Sequence, residues 1–328
     1  MKTIGITYDL RDWYIEKGFS MIETTEFDKI STISGIETEL IRLGFEVDRI
    51  GNIFELVQRL SQGDRWDLVF NIAECMYGDG RESAIPALLD QYKIPYVFSG
   101  PVVMGISLNK YYSKLLVEAA GVPVSPGRVI KELTELDDLM NEEIDFPVFL
   151  KPVAEGTGKG ITTRSLVNSK EELMTLCTEL LNDYNQPVLI EEFLPGREFT
   201  VGILGHAKNA SIIGGMEIIC KDGLPYSNEV KENYEEFASY LPIDDEVREE
   251  CYAVALKSWI ALGGVDAGRI DLRINRAGKV CFIEANPLAG LNPHSSDLPI
   301  LSRMCGKDYS YLIENIINSA LLRNKLTL

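Results

Sequence analysis

The first hundred residues alternate short apolar runs with stretches of helical periodicity. Apolar runs cover residues 3–8, 45–47, 67–71 and 95–98, and helical patterns lead up to Arg42 and cover residues 56–60. Buried strands that alternate with helices are typical of a parallel α/β sheet. The first strand runs into Tyr8-Asp-Leu-Arg-Asp12, where a dinucleotide-binding domain would need a Gly-x-Gly-x-x-Gly turn, so that domain is disfavoured.

The pattern changes after residue 108 and becomes that of an α+β chain. A helix over 109–120 ends at Gly121 and Pro123, the usual order of a helix stop. Strands are predicted at 146–151, 187–192, 199–204, 211–219, 267–274 and 279–284, and a helix over 170–182. Residues 275–278, Asn-Arg-Ala-Gly, predict a hairpin between the last two strands. A closing helix over 312–321 has one apolar face, which is predicted to be core.

Composition narrows the class of protein. A chain of 328 residues is longer than one hydrophobic core usually serves, so several packed units are expected. Its 32 basic and 50 acidic side chains give a formal charge of −18, which disfavours nucleic acid and acidic membrane surfaces as partners. The six cysteines form no CxxC pair, and no run approaches the ~20 apolar residues of a membrane span. We therefore expect a cytoplasmic protein without a zinc site.

A glycine-rich turn follows the apolar strand that ends at Lys151. The turn, Glu155-Gly-Thr-Gly-Lys-Gly160, offers several backbone N–H groups that side chains do not obstruct, and such turns can wrap phosphate oxygens. It is not a P-loop, because its lysine is followed by glycine instead of Ser or Thr. Taken alone, it fits an ordinary hairpin loop equally well.

A second candidate segment begins at the end of the strand over 187–192. Glu191 and Glu192 are followed by Phe193 and Leu194, and Glu198 begins the next strand. Apolar side chains at a strand end can hold a purine ring while carboxylates accept hydrogen bonds from a ribose or an amine. Two solvated glutamates and a core phenylalanine are the better interpretation of this segment when it is considered alone.

The predicted hairpin brings three oxygen-bearing side chains together. Glu284 and Asn286 lie two residues apart on one strand and share a face, and Asp271 is expected opposite them. Such a set suits Mg²⁺, which usually keeps waters and takes further ligands from substrate phosphates. Two buried carboxylates without a cation would be costly, so a metal site is favoured over a purely structural cluster. Arg269 lies on the same face, where it can stabilise a developing negative charge.

These segments, in this order, resemble the ATP-grasp superfamily, and most closely its D-alanine–D-alanine ligase branch, over essentially the whole chain. The motifs that carry the resemblance are Leu-Asn-Lys110-x-x-Ser-Lys114, Lys151-Pro with Glu155-Gly-Thr157, Glu191 with Gly196-x-Glu-Phe-Thr200, Gly268-Arg-Ile-Asp271 and Glu284-Ala-Asn286. It implies an amino-terminal parallel α/β substrate domain over residues 1–108. A two-subdomain ATP-grasp fold would follow, with a central subdomain over 109–190 and a carboxy-terminal subdomain carrying the metal site over 191–328.

The resemblance also implies roles for single residues. Phosphate contacts are implied for Lys110, Lys151, Thr157 and Gly158, and adenine or ribose contacts for Glu191, Phe193, Leu194 and Glu198. The implied ligands of Mg²⁺, or of Mn²⁺ as the alternative ion, are Asp271, Glu284 and Asn286. Arg269 matches the family's anion stabiliser, and Lys231 falls in the polar segment where the family has a mobile loop that closes over ATP.

The substrate motifs depart from the family pattern. The glutamate that holds the first amino acid's ammonium is missing from its usual context, and Glu26 or Asp28 is the expected replacement. Arg81 is expected either to pair with a substrate carboxylate or to form a salt bridge with a neighbouring acid. Gly290 and Ser295 match positions that contact the second amino acid in the family. The tyrosine expected after Lys231 is replaced by Glu232, with Tyr226 and Tyr234 nearby.

The leading hypothesis is an ATP- and Mg²⁺-dependent carboxylate–amine ligase that forms an amide between small molecules. It would proceed through an acylphosphate and release ADP and phosphate. The alternatives are a D-alanine–D-alanine ligase proper, joining of the acylphosphate to another nucleophile, and a nucleotide-binding sensor without turnover. The expected partners are a small carboxylate and an amine, together with a second copy of the chain, since the resembling family commonly dimerises through its amino-terminal domain. The sequence does not identify the substrates.

Overall fold

The computed structural model describes residues 2–326, without the side chains of Asp222, Asn228, Glu232 and Tyr234. Glu232 and Tyr234, noted above beside Lys231, therefore lie outside the described side chains. The strands are β1 Thr3–Thr7, β2 Glu46–Gly51, β3 Leu68–Asn71, β4 Gly127–Ile130, β5 Val148–Pro152, β6 Leu166–Val167, β7 Val188–Glu192, β8 Glu198–Leu204, β9 Ser211–Cys220, β10 Ala238–Pro242, β11 Ala267–Ile274 and β12 Val280–Asn286.

The helices fall between these strands as the periodicity predicts. They are α1 Arg11–Glu16, α2 Ile30–Arg42, α3 Ile53–Ser61, α4 Ala84–Tyr92, α5 Pro101–Leu108, α6 Lys110–Ala119, α7 Leu133–Met140, α8 Lys170–Tyr184, α9 Asn228–Glu232, α10 Tyr234–Phe237, α11 Arg248–Leu262, α12 Asp297–Met304 and α13 Tyr309–Arg323. Within residues 2–326, each helix is too short or too polar to cross a membrane.

The amino-terminal sheet is parallel, with strand order β2-β1-β3, as expected from its alternation of strands and helices. The strand predicted at 95–98 is wrong in extent, because only Tyr96 forms a bridge, to Val69. The chain leaves the sheet at Phe98, which has a left-handed φ of 75° and donates its N–H to the Asp266 carboxylate at 2.8 Å. The hydrogen bond between Phe98 and the distant Asp266 thus turns the chain away where the apolar pattern of residues 95–98 predicts a continuing strand.

Two antiparallel sheets form the remainder. One has the order β4-β7-β5-β6 and the other β10-β9-β8-β11-β12. The hairpin predicted at 275–278 is confirmed, since β11 and β12 pair directly. β7 belongs to the first of these sheets and extends through residue 192, past the expected division at 190, so that division stays a prediction.

One hydrophobic core joins the two ends of the chain. Residues Leu312, Ile313, Ile316, Ile317, Ala320 and Leu321 of α13 are all buried, which confirms the predicted core face. They belong to the same cluster as Ile33, Ile36 and Leu40 of α2 and as Ile4 and Ile6 of β1. The amino-terminal sheet is therefore fixed against the carboxy-terminal part of the chain, and the cleft between them has stable walls.

Substitution of Gly268, the residue before Arg269, tests how closely β11 packs against Trp259. A Cβ on Gly268 would lie 2.5 Å from the Trp259 ring and 2.8 Å from the Asn286 carbonyl oxygen. Since Trp259 is fully buried, Gly268→Ala should lower the free energy of unfolding by about 1–3 kcal/mol, the usual cost of overpacking. Denaturant unfolding measures this. Gly80→Ala is the matched control, because its Cβ would have only one neighbour, at 3.7 Å, and an equal loss in both variants would contradict the packing argument.

Candidate active site

Two adjoining cavities lie between the three sheets. The larger has a volume of about 230 Å³ and lies against the amino-terminal sheet, the end of β12 and the loop that follows it. The smaller lies between the two antiparallel sheets. Both are lined by Lys110, Glu155, Tyr226, Lys231 and Glu284. A ligand in each cavity would therefore meet the other at a junction that carries two lysines and two carboxylates.

A buried ion triad forms the floor of the smaller cavity. The Glu191 carboxylate accepts from the ammonium groups of both Lys114 and Lys151, the latter at 2.7 Å, and from the Ser125 hydroxyl at 2.9 Å. All three charged side chains are about 95% buried. Burial alone would raise the pKa of Glu191, but the two ammonium groups outweigh it and hold that pKa at about 2. Glu191, expected to contact the nucleotide, thus orients Lys114 and Lys151.

The apolar wall of the smaller cavity is the place predicted for a purine. The rings of Phe149 and Phe193 stack with their centroids 6.4 Å apart, and Leu194 lies beside them. The Arg273 guanidinium lies 5.1 Å from the centre of the Phe193 ring and forms an ion pair with Glu198 at 3.2 Å. Aromatic faces with a polar rim are suited to a flat heterocycle.

The β11–β12 hairpin aligns the predicted metal ligands. Asp271 lies opposite Glu284, and Arg269 lies opposite Asn286. A bulge follows Asp271, and bulges commonly re-aim side chains beside functional sites. Arg269 donates to Asp271 at 2.6 Å, and the Asn286 amide donates to the same carboxylate at 3.1 Å. The structure therefore brings together all four side chains that the sequence analysis assigned to this hairpin.

The charges of this hairpin are only partly balanced by protein groups. Burial raises the pKa of Asp271 although Arg269 opposes the shift. Burial would also raise the pKa of Glu284, but Lys110, at 3.4 Å, and the more distant Lys231 and Lys151 bring it well below its usual value. Within residues 2–326, no three His, Cys, Asp or Glu side chains are arranged for a metal. Two carboxylates and an amide oxygen instead fit an ion such as Mg²⁺, which takes its other ligands from water and phosphates.

The glycine-rich turn has the backbone geometry of an anion-binding loop. Thr157 and Gly158 have positive φ values of 52° and 71°, and successive residues of this kind direct N–H groups to one side. Thr157 lines the larger cavity and Gly158 the smaller one. The turn is held from the amino-terminal loop, because the Gly156 N–H donates to the Glu26 carboxylate.

Glu26 and Arg81 form one buried pair instead of two separate substrate contacts. Arg81 donates to both oxygens of Glu26, at 3.0 and 2.7 Å, and to the Ala154 carbonyl at 2.7 Å. Of the two roles expected for Arg81, the structure has the salt bridge. The charge of Glu26 is likewise balanced by a protein guanidinium, although its side chain does line the larger cavity.

The polar segment over 221–239 covers the junction of the two cavities. Its Lys231 ammonium lies 4.7 Å from the centre of the Tyr226 ring. Tyr226 donates a hydrogen bond to Asp297 at 2.9 Å, and Asp297 in turn lies 3.6 Å from Arg269. The segment therefore packs over the hairpin, where closure would exclude water.

Gly290 and Ser295 line the larger cavity, where the predicted second-substrate contacts belong. The site also contains Lys114, Ser125, Arg273 and Tyr226, to which the sequence analysis assigns no role. Lys114 lies four residues after Lys110 in the motif Lys110-x-x-Ser-Lys114. On a helix this spacing places both lysines on one face, which would have indicated that Lys114 belongs to the site. Ser125 and Arg273 have no comparable sequence signal, since their contacts depend on strand pairing.

Comparison with known proteins identifies the family. The family model of the D-Ala–D-Ala ligase C-terminus matches residues 116–318. The D-alanine–D-alanine ligase of Aquifex aeolicus is 31% identical over 290 residues, which are 88% of this chain and 94% of the relative. That of Lacticaseibacillus casei is 31% identical over 247 residues, and the match spans 74% of this chain and 66% of that relative's length.

The fold is also that of a solved ligase. The crystal structure of D-alanine–D-alanine ligase from Bacillus anthracis complexed with ATP superposes with a TM-score of 0.75 over 99% of both chains, at 21% identity. The mixed α/β architecture, with a parallel amino-terminal sheet followed by two antiparallel ones, is thus the ATP-grasp fold predicted from the motifs.

The buried triad predicts a pH-dependent stability. Glu191→Gln should lower the free energy of unfolding by about 3–5 kcal/mol at pH 7, because it leaves two buried ammonium groups without their counter-charge. The pKa of Glu191 is lowered on folding, so its contribution is complete above its ordinary value near 4.5 and is lost as the pH falls toward 2. Urea unfolding of both proteins between pH 7 and 2 measures the difference, which should shrink mainly below pH 4.5. Glu192→Gln is the adjacent control, and an equal loss in that variant would contradict the account.

Proposed function

The chain belongs to the D-alanine–D-alanine ligase family of ATP-dependent carbon–nitrogen ligases, and we propose that it uses ATP to join a small carboxylic acid to an amine. The observation that carries the proposal is the junction of two cavities at Lys110, Lys231 and Glu284. A nucleotide in the smaller cavity and a carboxylate in the larger one would meet there with their reacting ends together. Such positioning supplies much of the rate in phosphoryl transfer.

The arrangement of apolar and charged residues around the smaller cavity favours one orientation of the nucleotide. Its purine would lie against Phe193 and Leu194, with polar groups near Glu198. Its phosphates would extend toward Lys151, the turn at Thr157 and Gly158, and Lys110. Because Lys151 is held by Glu191 at 2.7 Å, the ammonium is oriented before the phosphates arrive.

A divalent ion fits the oxygen atoms of Asp271, Glu284 and Asn286. Mg²⁺ in that position would offset phosphate charge, and Mn²⁺ has similar ligand preferences. Thr200 donates to Asp271 at 2.6 Å and so fixes the orientation of that carboxylate. With the ion bound, the Asn286 amide would turn its oxygen toward the metal, and the ion would replace the Asn286 and Arg269 donors that now contact Asp271.

The reaction follows in two steps. An oxygen of the substrate carboxylate bonds to the γ-phosphorus while the bond to the β-phosphate oxygen breaks, which yields an acylphosphate and ADP. A free amine then attacks the acyl carbon, phosphate leaves with its bonding electrons, and the nitrogen loses a proton as the amide forms. Arg269 faces this junction and would stabilise the tetrahedral oxyanion. The segment that carries Lys231 and Tyr226 would exclude water from the acylphosphate.

D-Alanine as both substrates is the second candidate. It is favoured by the name of the 31% identical relatives and by Gly290 and Ser295, which line the larger cavity. A nucleotide sensor without turnover is less well supported, because Arg269, Asp271, Glu284 and Asn286 all converge on one hairpin.

The direct test is phosphate release from ATP and Mg²⁺ across a panel of single and paired amino acids and small carboxylic acids. We expect release that depends on a carboxylic acid and an amine together, with an amide product detectable by mass spectrometry. Release with D-alanine alone would establish the second candidate. ATP binding without release across the whole panel would contradict a ligase acting on small carboxylic acids and favour the sensor.

The hairpin residues provide a variant test. Asp271→Asn and Glu284→Gln should each lower metal-dependent ADP formation by at least ~100-fold, because each removes a negatively charged ligand from the ion. Glu249→Gln, an exposed acid on α11, is the control for loss of one charge. Circular dichroism checks that each variant is folded. Full activity in both hairpin variants would mean that the ion is held elsewhere.

A further inference from the structure

Three carboxylates line the amino-terminal wall of the larger cavity. Glu74 follows β3, Glu82 lies in the turn before α4, and Asp28 is bridged to Leu10 beyond the end of β1. They thus converge at the carboxyl end of the parallel sheet, where α/β proteins commonly bind ligands. None of the roles proposed above uses Glu74 or Glu82.

Glu74 and Glu82 differ from the other acids of the cavity in having no cation within ion-pair distance among the described residues. Glu26 is paired with Arg81, Glu284 with Lys110, and Asp297 with Arg269. Among residues 2–326, no lysine, arginine or histidine lies within ion-pair distance of Glu74 or Glu82, and neither carboxylate accepts a hydrogen bond. Arg81 acts on the charge of both and Lys110 on that of Glu82, but each of these cations is already engaged with another acid. Unpaired buried carboxylates are costly, so a ligand cation is the natural complement.

A buried hydroxyl gives an independent indication of a missing ligand. Ser107 is only 4% exposed and lines the same cavity. Its Oγ has no hydrogen-bond partner among the described residues, although most buried polar atoms in native proteins have one. An ammonium group carries three donors, which matches carboxylate and hydroxyl acceptors on one wall.

The two glutamates have different charged neighbours. The charges that act on Glu82 include Lys110 and Glu284 at the junction, whereas those that act on Glu74 include Asp28 and Glu82. Burial raises the pKa of Glu82 to about 7 and that of Glu74 well above its ordinary value, as expected of carboxylates that lack a counter-ion. One ammonium group would balance only one of these charges.

On the basis of the proposed function, we infer that the carboxylic acid substrate is a small diamino acid. Its carboxylate would lie at the junction beside Lys110, its α-ammonium would contact Glu82, and its second ammonium would contact Glu74 near Asp28. The cavity of about 230 Å³ is also lined by Gly290 and Ser295, the predicted contacts of the second substrate, so the acid has to share this space and a short one is favoured.

Ligand binding tests this inference independently of turnover. Calorimetry would be performed on the full chain with Mg²⁺ and a non-hydrolysable ATP analogue. The panel would contain 2,3-diaminopropionate, 2,4-diaminobutyrate, ornithine, alanine and aspartate, each as both enantiomers. One additional charge-assisted contact predicts that a diamino acid binds at least ~10-fold more tightly than alanine. Equal or tighter binding of alanine or aspartate would overturn the inference, even if ligase activity were established with another substrate.

Variants separate the two subsites. Glu74→Gln should remove the preference for the diamino acid over alanine, whereas Glu82→Gln should weaken both by about 10-fold or more. Neither should change affinity for the ATP analogue. Glu118→Gln, an exposed acid on α6, is the matched control for loss of one charge. An unchanged preference in Glu74→Gln would contradict the assignment.

Thermal stability distinguishes a binding role from a structural one. Removing a partly buried carboxylate that has no counter-ion should leave the melting temperature of Glu74→Gln unchanged or higher, as at other sites that sacrifice stability for function. A lower melting temperature together with an unchanged ligand preference would identify Glu74 as a structural acid and overturn the proposal. If diamino acids bind with the expected preference but no panel member is turned over, the binding inference stands and the ligase proposal fails.

Discussion

The need to compensate buried charge organises this cleft, because most of its carboxylates are paired with cations that come from another segment of the chain. Glu191 on β7 holds Lys114 from α6 and Lys151 from β5. Glu284 on β12 pairs with Lys110 at the start of α6. Such pairs add little net stability in themselves, but breaking one is costly. They therefore specify how the three sheets meet more than they strengthen the fold.

The same pairing explains how a strongly acidic protein can accept a triphosphate. The chain has a formal charge of −18, yet Lys110 and Lys231 lie where the two cavities meet and Lys151 lines the smaller one. Lys110 and Lys151 are each oriented by a carboxylate, so they lose less side-chain entropy when an anion binds than free lysines would. An incoming phosphate adds negative charge beside Lys110 and Lys151, and a divalent ion on the hairpin would restore the balance.

The parts of the site that depend on local sequence could be predicted. The turn at 275–278 determines that β11 and β12 pair, which brings Asp271, Glu284 and Asn286 to one hairpin, whereas the bulge after Asp271 that places it opposite Glu284 has no signal in the sequence. The bonds between distant segments could not be predicted. Glu26 is 55 residues from Arg81, and the choice between a substrate contact and a salt bridge for Arg81 needs their relative positions. The chain's departure from the parallel sheet at Phe98 likewise depends on Asp266, 168 residues away.

The route of oxygen transfer is the most direct test of the proposed chemistry. With a carboxylic acid substrate labelled with ¹⁸O in both oxygens, the reaction would be run to completion with ATP and the amine, and the phosphate analysed by mass spectrometry. An acylphosphate predicts that one labelled oxygen appears in each phosphate released and one remains in the amide. Unlabelled phosphate, or release of AMP and pyrophosphate, would contradict transfer of the γ-phosphoryl group to the substrate carboxylate.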